Sequence, residues 1–239
     1  MVYPADQGPK MSSAGTNQRA GDRTYRTLRS DILMGRLLPG QKLRLDELRK
    51  SYGASVSTLR ELLSRLSSER LVLAEGQKGF EVAPVSISDL REIAELRMLL
   101  EVNALKDSIA NGDLEWESRV LASHHKLAAI EAKRLAGDKD DTESWKRYDW
   151  QFHQALISAC GSKRLMDAHA AVFDKYLRYQ MLALSDRGEI AVREHEQLLA
   201  CALNRDADAA VQVLRKHVAG GVAHAIANGT IPPDNRGCT

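Results

Sequence analysis

Four side chains in this sequence are of the types, and stand at the spacings, that could hold a divalent metal ion. Asp149 and His153 are four residues apart and share a helix face with Phe152, Leu156 and Ile157, which mark that side as turned inward. His195 lies eleven residues before Asp206 and His217 eleven after it. If the chain reverses near Arg205-Asp206 as an antiparallel helical hairpin, the two imidazoles reach the same height. Leu198, Leu199 and Ala202 accompany His195, and Ala210, Val213 and Leu214 accompany His217, so both rings face the interior. One carboxylate and three imidazoles suit zinc, nickel or manganese, and iron is chemically compatible; an open coordination position would admit a carboxylate. A lone inward histidine is more often a hydrogen-bonded core residue. Four convergent groups favour the metal.

The remaining histidines, His124, His125, His169 and His224, lack that symmetry and read as structural or solvated. Cys160, Cys201 and Cys238 are odd in number and widely spaced, against both a disulfide framework and a cysteine zinc site, and in keeping with a reducing cytoplasm. Charges interrupt every apolar segment, so no membrane span is expected.

The elements that must position the four groups are helical. Periodicity of 3.6 residues runs through 88–110, 114–136, 142–160, 162–185, 189–204 and 206–227, with Gly112, Gly137, Gly161, Gly188 and Gly229 near the ends. Without a strand pattern or a repeat, residues 86–228 read as an antiparallel six-helix bundle with a central cavity, followed by a tail over 229–239. Arg178 lies on a helix expected to line that cavity, where a guanidinium could clamp a carboxylate opposite the metal; a surface ion pair is the alternative.

Residues 1–84 differ. They carry 14 Lys and Arg against 9 Asp and Glu, whereas 85–239 carry 20 against 23. Residues 1–21 are polar and Pro- and Gly-containing and read as a flexible arm. A domain over 22–84 opens with a helix at 24–34 capped by Asp22, then a turn at Leu38-Pro39-Gly40 and a short helix at 45–52 that stops at Gly53. A third helix starts at Ser55 or Ser57, with Leu59, Leu62, Leu63 and Leu66 in one stripe. Residues 71–74 and 80–83 form a hairpin around a basic glycine-rich tip that includes Lys78 and Gly79. Helix, turn, helix and wing are a groove-reading arrangement, with Ser55, Ser57, Thr58 and Arg60 at the end nearest the bases. Taken singly, Ser55 and Ser57 could merely cap a helix and Arg60 merely pair with Glu47 or Glu61.

The order of these elements resembles the GntR-type family of bacterial regulators. The resemblance is carried by Pro39-Gly40-Gln41-Lys42-Leu43, Gly53-Ala54-Ser55, Leu59-Arg60-Glu61-Leu62-Leu63-Ser64-Arg65-Leu66, Glu69-Arg70-Leu71-Val72 and Gly76-Gln77-Lys78-Gly79-Phe80-Glu81-Val82. It implies a winged helix on double-stranded operator DNA. Where that family has an arginine after the capping serine, this chain has Val56, which could touch a thymine methyl, with Arg44 as a replacement positive contact. The second half resembles the all-helical FCD effector domain of the fatty-acid-regulator branch, through Glu95-Leu96-Arg97 with Glu101, Asp149-x-x-Phe152-His153, His195, and Asp206 to His217. That resemblance implies metal ligation by Asp149, His153, His195 and His217 and direction of Arg97 at the effector cavity. A homodimer that sets two recognition helices on a short palindrome is the expected assembly. The run from Gly112 to Glu117 and the pair Arg178-Tyr179 are similar to the glutarate-sensing type of repressor, which implies a dicarboxylate effector.

The expectation is therefore a mostly α protein and a cytoplasmic regulator released from its operator by a small organic acid. A metal-dependent hydrolase would use the same four ligands, but the chain has no His-Asp dipeptide and no Glu-x-x-His pair. A DNA-binding protein without effector would leave the inward histidines idle.

Overall fold

The computed structural model describes residues 13–74, 79–183 and 186–233, and the chain divides into two compact units, 1–84 and 85–239. Three helices and a two-stranded hairpin make the first unit: α1 (Ser13–Leu33), α2 (Leu45–Tyr52), α3 (Val56–Ser68), β1 (Val72–Ala74) and β2 (Phe80–Val82). Leu28 and Ile32 of α1, Leu59, Leu63 and Leu66 of α3 and Val82 of β2 are wholly buried, so one apolar stripe from each element forms the core. Gly53 closes α2 with φ 65°, donating its N–H to Arg49 O, and this left-handed residue lets the chain reverse into α3 within a short turn. Ser55 caps α3, accepting from the Thr58 N–H at 3.2 Å.

Two features of this unit depart from the sequence reading. Helix α1 begins at Ser13, so Asp22 is not its cap but an interior residue 3.9 Å from Arg65, and residues 13–21 are helical rather than part of an arm. Ala14, Gln18, Arg19 and Ala20 are good helix formers, and the poorer formers between them, Gly15, Thr16, Asn17 and Gly21, are carried by propagation from a helix already anchored by Leu28 and Ile32. The stretch after the Pro39 turn also adds an edge to the hairpin: Lys42 bridges Glu81, Leu43 N–H donates to Phe80 O, and Val82 N–H donates to Gln41 O. Within the hairpin, Val72 faces Val82 and Ala74 faces Phe80. Lys78 lies outside the described residues.

The second unit contains α4 (Ile87–Asn111), α5 (Leu114–Leu135), α6 (Thr142–Ile157), α7 (Lys163–Leu182), α8 (Glu189–Leu203) and α9 (Ala207–Ala227). Five of the six start on a side-chain cap: Ser86, Asp113, Asp141, Ser162 and Asp206 each accept a backbone N–H three residues on. Helix α4 lies against α7 and α9, α5 against α6 and α8, and α8 against α9. Trp116, Val120, Leu127, Phe152, Ile157, Leu198 and Ala210 are fully buried between them. No described helix is long and apolar enough to cross a membrane.

Candidate metal centre and DNA-reading face

Each of the four ligand candidates is fixed by its helix. On α6, Asp149 and His153 lie one turn apart, and α8 and α9 turn back on one another at Arg205-Asp206 so that the His195 and His217 rings come to 4.8 Å between centroids. One ligand atom from each of Asp149, His153, His195 and His217 can be chosen so that all lie within 4.8 Å of one another, and all four residues are buried. Asp149 Oδ1 stands 3.3 Å from His195 Nε2 and 3.9 Å from His153 Nε2.

Behind each imidazole stands a carboxylate. Glu101 of α4 is 2.5 Å from His153 Nδ1, Glu131 of α5 is 2.8 Å from His195 Nδ1, and Glu194 of α8 is 3.0 Å from His217 Nδ1. Donation of the Nδ1 proton to a carboxylate fixes the tautomer and leaves Nε2 as a lone-pair donor, the arrangement found behind metal-bound histidines. His195 Nε2 is buried without a well-aligned hydrogen bond. A buried, oriented imidazole nitrogen that faces a carboxylate at 3.3 Å without good hydrogen-bond alignment fits a metal ion better than it fits an apolar core.

The electrostatics follow from this crowding. Burial works against ionised Asp149, yet His195, Lys146 and His153 hold its carboxyl far below the ordinary range. Burial also disfavours charged His195, but its bonds to Asp149 and Glu131 push its pKa up to about 9. His217 is pulled to about 3 by burial and by the neighbouring His195 and His153, despite Glu194. In the metal-free cluster one imidazole carries the proton and its neighbour cannot.

A basic rim completes the site. Arg97 is fully buried, bonded to Glu101 at 2.6 Å and stacked over Phe173 and Tyr176, so the position expected to reach into the effector cavity is occupied in holding the carboxylate behind His153. His169, read as structural, supports the same Glu101 at 3.1 Å. Arg187 bonds Glu194 at 2.5 Å and lies 3.0 Å from His217 Nδ1. Lys146, one turn before Asp149, bonds Gln180 Oε1 at 2.8 Å, and burial pulls its pKa down to about 8. Two glycines make room for these groups: a Cβ on Gly220 would fall 2.4 Å from Arg187 Nη1, and one on Gly221 2.5 Å from the Tyr176 hydroxyl.

On the first unit, Ser55, Ser57 and Arg60 are exposed at the start of α3, with Val56 and Thr58 half-buried. The Ser55 hydroxyl is committed to the cap and lies 2.8 Å from Ser57 Oγ and 2.9 Å from Thr58 Oγ1. Arg60 has no carboxylate within ion-pair distance among the described residues, while Arg44 is exposed and only 3.7 Å from Glu47. Gly79, at the end of the wing tip, has φ 98°.

Comparison with known proteins matches residues 20–82 to the bacterial regulatory proteins of the gntR family and residues 92–220, more than half of the chain, to the FCD domain. This chain belongs to the GntR family, FCD branch. The HTH-type transcriptional regulator BphR of Paraburkholderia xenovorans is 36% identical over 204 residues, spanning 84% of this chain and 83% of that one. The HTH-type transcriptional repressor GlaR of Escherichia coli is 35% identical over 201 residues, spanning 81% and 90%. The solved structure of E. coli McbR/YncC superposes with a TM-score of 0.73 at 20% identity, over 88% of this chain and 98% of that one, which speaks for the fold alone. Both family matches are to transcription regulators, so the hydrolase reading is set aside.

Within this GntR-family chain one expected residue stands apart from the cluster. Helix α7 turns His169, Phe173, Tyr176 and Gln180 toward the site, but Arg178 is two residues from both Tyr176 and Gln180 and so falls on the far side of a 3.6-residue turn. The groups that act on its charge are Tyr179 and Asp89 of the first turn of α4. Conversely, Glu131, Glu194, Lys146 and Arg187 were not singled out from sequence. Glu131 and Lys146 occupy stripe positions on α5 and α6, alongside Val120, Leu127, Asp149 and His153, and a charge on an apolar stripe was the available signal.

Proposed function

We propose that this GntR-family chain is a repressor whose FCD domain holds a divalent ion, zinc, nickel or manganese, through Asp149, His153, His195 and His217, and that a small organic acid bound there releases it from operator DNA. The observation that carries the reading is the triple pairing Glu101–His153, Glu131–His195 and Glu194–His217 around Asp149. Three imidazoles oriented by carboxylates, with a fourth oxygen ligand, leave a coordination position for a carboxylate of the acid. When bound, the ion supplies positive charge that attracts that carboxylate. Arg97 contributes by fixing Glu101, and Arg178 has no part in clamping the acid.

The GntR unit would read operator DNA as a homodimer in the cytoplasm. Ser57, Thr58, Arg60 and Val56 at the start of α3 would meet base edges and phosphates, Arg44 and the Lys78-Gly79 wing tip would make flanking contacts, and Ser55 would cap the helix that presents them. Release requires the acid to bind the DNA-incompetent arrangement more tightly, because equal affinity for both arrangements shifts no population. The repressor sign agrees with the printed name of GlaR.

The test is fluorescence anisotropy of the metal-loaded protein on its own upstream DNA, titrated with glutarate and other dicarboxylates, for the parent chain and His195→Ala. The expected result is release of the parent and an unresponsive variant. Superimposable parent curves with and without every acid would remove the sensing role and leave a DNA binder without effector.

A further inference from the structure

Three of the bases around the FCD site each have a carboxylate of their own: Arg97 with Glu101, Arg134 with Asp186 at 3.0 Å, and Arg187 with Glu194. Lys146 does not. It is 4% exposed, its ammonium rests on the Trp145 ring at 3.9 Å and bonds the Gln180 amide oxygen, and no carboxylate of the described residues is within 4 Å. A buried ammonium whose counter-charges, Asp149 and Asp186, stand beyond ion-pair distance is only partly compensated, and that is costly.

Its setting joins three observations. Lys146 is one helical turn, about 4.5 Å of rise, before Asp149. A polar wall continues from it, since Gln180 bonds Tyr176, whose hydroxyl reaches Val218 O. A cleft of about 360 Å³ is lined by Glu131, Arg134, Lys139, Trp145, Asp186 and Ala191. It thus reaches both the carboxylate that holds His195 and the ring that carries the Lys146 ammonium. Once Asp149 is engaged by a divalent ion, Lys146 faces a centre of its own sign, and an anion spanning the two relieves that repulsion.

Building on the acid-sensing reading above, we infer that Lys146, positioned by Gln180 and Trp145, receives the second carboxylate of a short dicarboxylate whose first carboxylate sits at the metal centre. Lys146 is then the residue that selects diacids over monoacids, in place of the arginine expected from sequence.

Calorimetry on the zinc-loaded full chain tests this with glutarate and pentanoate, for the parent, Lys146→Met and Lys146→Arg. The parent should bind glutarate tighter by about tenfold or more, the scale of one charge-assisted hydrogen bond. Lys146→Met should bind the two acids within about twofold, with zinc stoichiometry unchanged, and Lys146→Arg should recover part of the preference. Melting curves give a second readout, because Lys146→Met should shrink the stabilising shift that glutarate produces in the zinc-loaded protein. A diacid preference retained in Lys146→Met, or absent from the parent, overturns the assignment while the sensor reading stands. Failure of the parent to bind either acid overturns both.

Discussion

Gly220 and Gly221 are adjacent in the interior of α9, where each glycine costs the helix about 1 kcal/mol relative to alanine. Replacing either by alanine gains the same propensity, yet the structure sets the two outcomes apart. At Gly221 the new Cβ would lie 2.5 Å from the Tyr176 hydroxyl, 3.5 Å from Gln180 Nε2 and 3.8 Å from Tyr176 Cζ. Tyr176 is 1% exposed beneath Arg97, and its rigid ring cannot swing away. Overpacking of this kind costs about 1–3 kcal/mol, and displacing the hydroxyl adds roughly 0.5–1.5 kcal/mol of hydrogen bonding. Against a gain of about 1 kcal/mol, Gly221→Ala should lose about 0.5–3.5 kcal/mol net. At Gly220 the Cβ meets Arg187 Nη1 at 2.4 Å, the far end of a flexible side chain whose other terminal nitrogen bonds Glu194. Arg187 can move aside, so Gly220→Ala should stay within about 1 kcal/mol of the parent once lost contact to Glu194 is set against helix propensity. Thermal unfolding of the chelator-treated proteins reads both, with melting shifts of about 2–4 °C per kcal/mol for a unit of this size. A Gly221→Ala protein at least as stable as Gly220→Ala would refute the close-approach account of α9.

Three further outcomes follow from the same geometry. In the metal-free chain His195 is held near pH 9, above its ordinary 6.5, so its stabilising contribution is complete below about pH 6.5 and drains away as the pH rises through 9; a metal must displace that proton. Calorimetry at neutral pH in buffers of unlike ionisation enthalpy should therefore show about one proton released per ion, with affinity climbing up to about tenfold per pH unit below 9, and a buffer-independent heat would contradict it. Glu131→Gln keeps the shape but removes the charge behind His195, and should weaken metal affinity by about 10–100-fold in competition with a chelating dye, whereas parent-like affinity would mean that Glu131 is only a core hydrogen bond. Ser55→Ala removes the cap of α3 and should cost the N-terminal unit about 1 kcal/mol in denaturant unfolding, with no loss if the Thr58 N–H finds water instead.

Much of this arrangement was legible because helical spacing is a local property. The pairing of His195 with His217 needed only equal distances from Asp206, and the bundle needed only the stripes and their caps. What escaped the sequence depends on rotation and on tertiary charge balance. Arg178 was placed on the right helix but the wrong face, since proximity along α7 says less than the two-residue offset from Tyr176. Glu131 lies far along the chain from His195, and no periodicity reveals which carboxylate will meet which imidazole. The edge formed at Lys42 was hidden by a turn signal, because Pro39-Gly40 marks where the chain bends but not that it continues beside β2. The early start of α1 shows the converse: a polar stretch of mixed propensity, which reads as an arm by itself, extends a helix that its neighbours have already nucleated.

The polar interior of the second unit draws on every one of its helices: Glu101 from α4, Glu131 from α5, Asp149 from α6, His169 from α7, His195 from α8 and His217 from α9. No subset of them encloses a neutral, self-sufficient interior, so a fragment shortened by its final helix would strand charges that only the intact set cancels. Such a bundle should melt as one unit, and whatever binds at its centre acts on all six rods together, giving a small molecule mechanical purchase on the whole domain.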